Sequence, residues 1–160
     1  LSASQLFIIL LMFIGASSGG TGGGIKTNTV VVLMLATMNT FRGGGSIHVF
    51  ERRIATETVM RALAVVISSL ACIFTVALLL TITEGLLEKH FLEVLFEATS
   101  AFSTTGLSMG LTSELSSTGK VIISATMFIG RLGPLTLAYA LAKKKRKSKI
   151  NYPEDHVLIG

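Results

Sequence analysis

The chain has one cysteine, one aspartate and few charges of either sign, and each scarcity excludes something. Cys72 stands alone inside an apolar run, so no disulfide and no cysteine-based metal centre can be built, and it reads as a small buried apolar side chain. Acidic residues number only 9, and the single aspartate is Asp155, which argues against most enzymes that work through carboxylates. No covalent chemistry is implied, and the chain reads as a non-enzyme with no covalently bound cofactor. Charged residues make up 14% of the sequence, half of it is hydrophobic, and the mean hydropathy is +0.70. That is too apolar for an ordinary soluble domain of this length and points to a membrane protein. The net charge of +5 gathers in "KKKRKSK" (143–149), directly after an apolar stretch. A basic cluster in that place marks a cytoplasmic flank facing membrane lipid rather than a nucleic-acid contact. "LSASQLFIILLMFIG" has no initiator Met and no basic leader, so the expectation is a chain that begins inside a larger protein.

What is present is apolar and segmented. A hydrocarbon core of ~30 Å needs about 20 apolar residues in a helix. Residues 62–83 run for 22 positions without a charge, and 121–142 for 22 more, interrupted only by Arg131. Residues 27–41 give a shorter apolar run of 15, which spans if its helix begins near Gly24. Two further runs, 5–14 and 91–102, are too short to cross. Each passes straight into small polar residues, "GASSGGTGGG" and "STTGLSMG". A short helix followed by a small-residue loop is the pattern of a re-entrant segment, tolerated at membrane depth only where it lines a water-filled cavity or is buried in protein.

The order then repeats. Short helix 5–14, loop 15–24 and spanning helix 24–41 match short helix 91–102, loop 103–110 and spanning helix 120–142, the second set being preceded by its own spanning helix 62–83. The expected fold class is therefore all-α transmembrane, built of helix–pore loop–helix units. The expected divisions are 1–61, 62–142 and a tail of 143–160. With re-entrant loops, Arg42, Arg52, Arg53 and Arg61 share a side with 143–149, while Glu84, Glu88, Glu93 and Glu114 fall on the other, as the positive-inside rule requires.

"GGTGGGIKT" (19–27) invites comparison with a phosphate-cradling loop, but Ile25 sets the spacing off by one and no aspartate is at hand to hold magnesium. An ion path fits better. A dehydrated cation needs oxygens, and a Gly-rich loop can turn successive carbonyls one way. Both loops lack carboxylates, which suits a monovalent cation, and the C-terminal end of a short helix adds partial negative charge. Ser17, Ser18 and Gly19 form one oxygen string; Ser103, Thr104, Thr105 and Gly106 form the other.

"GASSGGTGGGIKT", "EATSAFSTTGLS" and "GRLGPLTL", with "YPEDHVLIG" near the end, together resemble the potassium-translocating subunit of the bacterial Ktr system, in the Trk/Ktr/HKT superfamily. The resemblance covers essentially the whole chain. It implies four repeats of helix–pore loop–helix in pseudo-fourfold array around one pore. This chain then holds the end of the third repeat and all of the fourth. It implies a potassium filter segment at Ser17, Ser18, Gly19 and Gly20 and another at Thr104, Thr105, Gly106 and Leu107, with K+ as the transported ion. It also implies a multi-pass protein of the bacterial plasma membrane with a cytoplasmic C-terminus. Its partners would be a second copy, as a homodimer, and a cytoplasmic nucleotide-binding regulatory ring of RCK domains (the KtrA type). Any nucleotide would be bound by that partner.

Arg131 has two readings: a structural arginine bonded to carbonyls of a broken helix, or, as the resemblance implies, a pore-side charge forming a barrier below the filter. Gly133 and Pro134 predict a kink beside it. "MNTFRGGGSIH" breaks the helical pattern, and the resemblance implies a gate loop within 37–46, involving Asn39, Gly43, Gly44 and Gly45; an ordinary cytoplasmic turn is the alternative. Lys26 reads as the cap at the extracellular start of its helix. Glu97 is either solvated at the outer vestibule or a support tethering the filter backbone. His48 and His90 lack ligand partners and read as surface residues. A secondary transporter with broken helices is the competing function, although it predicts inverted repeats and these units point the same way. A plain membrane anchor leaves the paired loops and Arg131 unexplained.

Overall fold

The computed structural model describes residues 2–17, 19–43, 48–49, 52–85, 91–133 and 136. They form helices α1 (Ser2–Phe13), α2 (Thr27–Phe41), α3 (Thr56–Thr83), α4 (Phe91–Ser103), α5 (Leu111–Glu114) and α6 (Ser117–Leu132). Two two-residue strands, β1 (His48–Val49) and β2 (Arg52–Arg53), pair antiparallel in the connection between α2 and α3. Apart from that small ladder the fold is all-α, as the sequence predicts.

Among the described residues only α3 is both long and apolar enough to cross a bilayer. Its 28 residues reach about 42 Å. It begins at Thr56, before the apolar run, because a helix need not stop at the edge of its greasy stretch. Glu57 and Arg61, one turn apart, form an exposed ion pair in the added turn. α6 likewise starts early, at Ser117. The Ser116 hydroxyl accepts from Gly119 N–H at 3.2 Å, a side-chain N-cap.

Two helix ends sharpen the expectations. The sequence predicts a spanning helix over 120–142 kinked at Gly133 and Pro134, and α6 runs from Ser117 to Leu132, its helical geometry interrupted at Gly133. Gly133 adopts φ +83° and ψ 131°, outside the helical region. The cause is local: the residue before a proline is steered away from the α conformation, and glycine accepts positive φ without penalty. Arg131 therefore sits in the last turn of a helix, not at the middle of one. α2 stays helical through Phe41, so within the span 37–46 residues 37–41 are helix. Arg42 caps the helix, and Gly43 follows with φ +68°.

α4 is the hub. Val94 and every residue from Phe96 to Ser103 are buried, and α1, α3, α5 and α6 all pack on it. Its Phe102 is the largest wholly buried side chain, in a cluster with Ile73, Leu80, Val94, Leu111 and Ile123. A second cluster joins Phe96 to Ile9 and Met12, so the two short helices α1 and α4 lie side by side. Away from this core, Phe7, Leu10, Phe74, Ile82 and Phe128 are well exposed. A surface this apolar is made for lipid or further protein. Polar side chains on the helices are satisfied internally: Thr37, Thr40, Ser69, Thr75, Thr99 and Thr126 each return a hydroxyl to the carbonyl four residues back.

Candidate functional site

The first loop joins α1 to α2 and is closed at its base. Ile14 and Ile25 form a parallel bridge, with Gly15 N–H donating to Ile25 O at 2.8 Å and Ile25 N–H to Phe13 O at 3.3 Å. Gly15 has to be glycine, because a Cβ there would lie 2.2 Å from Gly23 O. Inside the loop Gly20 N–H bonds Ser17 O at 2.9 Å, turning the chain through Gly19 at φ +95°. Ser17, Gly19 and Gly20 are exposed; Ser18 lies outside the described residues.

The second loop leaves α4 through a helix terminus of unusual composition. Thr104 N–H bonds Ala101 O and Thr105 N–H bonds Ser100 O, both at 3.2 Å. This is the two-bond ending in which the residue after the cap is left-handed and nearly always glycine. Here it is Thr104, at φ 54°, a conformation that β-branched residues resist. Something must hold it, and the first loop does: Gly23 N–H donates to Thr104 Oγ1 at 2.9 Å. The Thr105 hydroxyl lies 3.2 Å from Ser100 Oγ, 3.3 Å from Ser103 Oγ and 3.2 Å from Met12 Sδ at the end of α1. Gly106 follows at φ +78° with open space around it, and Leu107 is half exposed.

Glu97 supports this loop from behind. It is buried, and its Oε1 accepts from Ser108 Oγ and from Thr112 N–H (3.2 Å). Ser108 Oγ in turn accepts from Gly110 N–H at 3.0 Å. The carboxylate thus ties both ends of the Ser108–Thr112 turn to the hub helix. The sequence leaves Glu97 either solvated or tethering the filter backbone; here it is buried and bonds Ser108 and Thr112, beyond residues 104–107. Those partners are not legible in the sequence, because serine and threonine are too common for spacing alone to mark them.

Against the first loop is a cavity of about 250 Å³, lined by Gly22, Gly24 and Lys26 from that loop and by Gly130, Arg131 and Gly133 from the end of α6, among others. α6 approaches α4 closely here: a Cβ on Gly130 would lie 1.8 Å from Phe102 O. Lys26 occupies the N-cap position of α2 but makes no capping bond; its Nζ reaches back to Gly22 O at 2.7 Å and Gly20 O at 3.2 Å. Of the residues predicted for gating, Asn39 lies in the last turn of α2 and Gly43 just beyond it, away from this cavity. Gly44, Gly45, His90, Pro134 and the basic tail lie outside the described residues.

At the opposite end of the long helix, Glu84 caps α6. Its carboxylate accepts from Ser116 N–H (2.8 Å) and Ser116 Oγ (2.6 Å) and lies against Gly119. These hydrogen bonds from Ser116 hold its pKa below the ordinary carboxylate value.

The described residues thus give an all-α fold apart from one small ladder, with one helix long and apolar enough to cross a bilayer and two glycine- and hydroxyl-rich loops bonded to each other. The chain belongs to the TrkH family of cation transport proteins, whose family model matches residues 2–152. It is 46% identical over 162 residues to Ktr system potassium uptake protein D of Bacillus subtilis, covering 100% of this chain and 35% of that protein. It is 46% identical over 155 residues to Ktr system potassium uptake protein B of Vibrio alginolyticus, covering 97% and 33%. Potassium/sodium uptake protein NtpJ of Enterococcus hirae is 35% identical over 161 residues, covering 99% and 36%. The chain spans about a third of the length of the curated relatives it matches.

Proposed function

We propose that this chain forms part of the ion-conducting subunit of a potassium uptake system. The observation that carries the reading is the 2.9 Å bond from Gly23 to Thr104, which sets the two carboxylate-free loops side by side, as two segments of one filter must be. The names of the relatives supply the ion.

In this reading α1, its loop and α2 end one helix–pore loop–helix repeat (1–61). α3, α4, the second loop and α6 make the next (62–142), and 143–160 is a cytoplasmic tail. Two more repeats complete a pseudo-fourfold pore. Main-chain and hydroxyl oxygens of Ser17, Ser18, Gly19 and Gly20 and of Thr104, Thr105, Gly106 and Leu107 are the candidates to replace the hydration shell of K+. Glu97 steadies the second segment. Arg131 presents a fixed positive charge in the cavity against the first loop, a barrier that an ion crosses only when the path opens. Gly43 to Gly45 form the gate loop, with Asn39 at the end of α2 leading into it. The assembled protein is a homodimer in the bacterial plasma membrane, seated on a nucleotide-binding ring.

The test is potassium uptake by the full-length protein in cells stripped of their own uptake systems. Wild type restores uptake. Gly106→Ser, which meets no neighbour but must hold φ +78°, raises KM for K+, and Arg131→Ala changes flux with normal membrane insertion. Unchanged kinetics in Gly106→Ser would overturn the filter reading.

A further inference from the structure

Lys26 is more than the start of a helix. A positive charge beside a helix N-terminus is unfavourable, and no side-chain cap compensates for it there. The ammonium instead donates to Gly22 O at 2.7 Å and Gly20 O at 3.2 Å. The peptide group of the Gly22 carbonyl also carries Gly23 N–H, which points the opposite way, as in any trans peptide, and donates to Thr104 Oγ1. The Gly20–Gly23 run is thus held from both sides, its carbonyls towards Lys26 and its amide towards the second loop.

We infer that Lys26 is a positioning and specificity-determining residue: a resident cation that keeps the carbonyls of Gly20 and Gly22 out of the ion path and confines coordination in the first loop to residues 17–19. A second cation at either carbonyl would sit directly against a like charge and be repelled by it. Gly20, which the sequence places among the filter residues, moves to the supporting side. Lys26 also shares the cavity against the first loop with Arg131, and no carboxylate is among that cavity's described lining, so the two cations act together on an ion that has left the filter. The inference rests on the potassium-pore reading.

The experiment measures K+ uptake, Na+ competition and membrane abundance for full-length wild type, Lys26→Met, Lys26→Arg, Lys26→Gln and the reference variant Gly106→Ser. Lys26→Met should reach the membrane at near wild-type amounts, raise KM for K+ about tenfold, equivalent to about 1.4 kcal/mol, and admit Na+ as a competitor. Lys26→Arg, which can also donate twice, should restore KM most of the way. Lys26→Met or Lys26→Gln present in the membrane with unchanged KM, even with a reduced maximal rate, overturns the assignment. So does failure of both to reach the membrane while Lys26→Arg succeeds, since the residue is then a fold element only. If Gly106→Ser shifts KM and the lysine variants do not, only the Lys26 assignment falls. If wild type takes up no K+, or Gly106→Ser leaves KM unchanged, the potassium reading itself falls.

Discussion

The amide of Gly23 donates to the hydroxyl of Thr104 across 81 positions of sequence, at 2.9 Å. Gly23 is buried, so removing its acceptor leaves an amide with neither protein nor bulk water to bond. Thr104→Val keeps the shape and deletes the hydroxyl. It should destabilise the protein by about 1–3 kcal/mol, seen as a lower unfolding temperature in detergent, whereas Thr104→Ser should stay close to wild type. Equal unfolding of the valine and serine variants would show that the bond contributes nothing.

Gly130 and Gly85 separate two kinds of glycine. A Cβ on Gly130 would collide with Phe102 O at 1.8 Å, a main-chain atom of the buried hub. Overpacking of this kind costs about 1–3 kcal/mol and sometimes more. Gly85 faces open space, and its φ of +63° alone penalises a side chain, by about 1–2 kcal/mol. Gly130→Ala should therefore lower the unfolding temperature clearly more than Gly85→Ala. The reverse ranking would contradict the packing of α6 on α4.

Glu97 holds Ser108 and the Thr112 amide. Glu97→Ala should raise deuterium uptake in the peptide covering 108–112, while Glu97→Gln, which keeps one acceptor oxygen, should raise it less. Protection unchanged in the alanine variant would mean the turn is held by other contacts.

Glu84 carries a pH signature. Its carboxyl titrates lower in the folded protein because it accepts hydrogen bonds from Ser116. A group depressed in this way binds fewer protons folded than unfolded. Its contribution is complete above its unfolded pKa and is lost as pH falls through the folded one. Wild type should lose stability on acidification below the ordinary carboxylate range, and Glu84→Gln should be weaker at neutral pH with a flatter acid limb. Parallel profiles for the two proteins would refute the assignment.

Which of these relationships can be read from the sequence follows from their range. The apolar runs locate α1, α3 and α4 because burial in lipid or core acts on each helix separately. The loops announce themselves through glycine and hydroxyl content. Helix ends are less legible. Counting charges predicts that α3 begins at residue 62, yet Glu57 and Arg61 extend it to Thr56. Hydropathy alone carries the last helix through 142, and it is the Gly133–Pro134 pair that marks in the sequence the interruption found at Gly133. Lys26 beside a helix start suggests a cap, and only the folded loop reveals that two carbonyls six and four residues back lie within its reach. The pairing of Gly23 with Thr104 leaves no local trace at all, because neither residue's neighbours differ from those of any other small-residue loop.

The contact between Gly130 and Phe102 constrains how the molecule can move. With a helix backbone resting on a main-chain oxygen, α6 cannot roll about its own axis: a turn of one position in either direction would drive Ile129 or Arg131 into that oxygen. The rotational setting of α6 on α4 is therefore fixed at the one position where the helix presents no side chain.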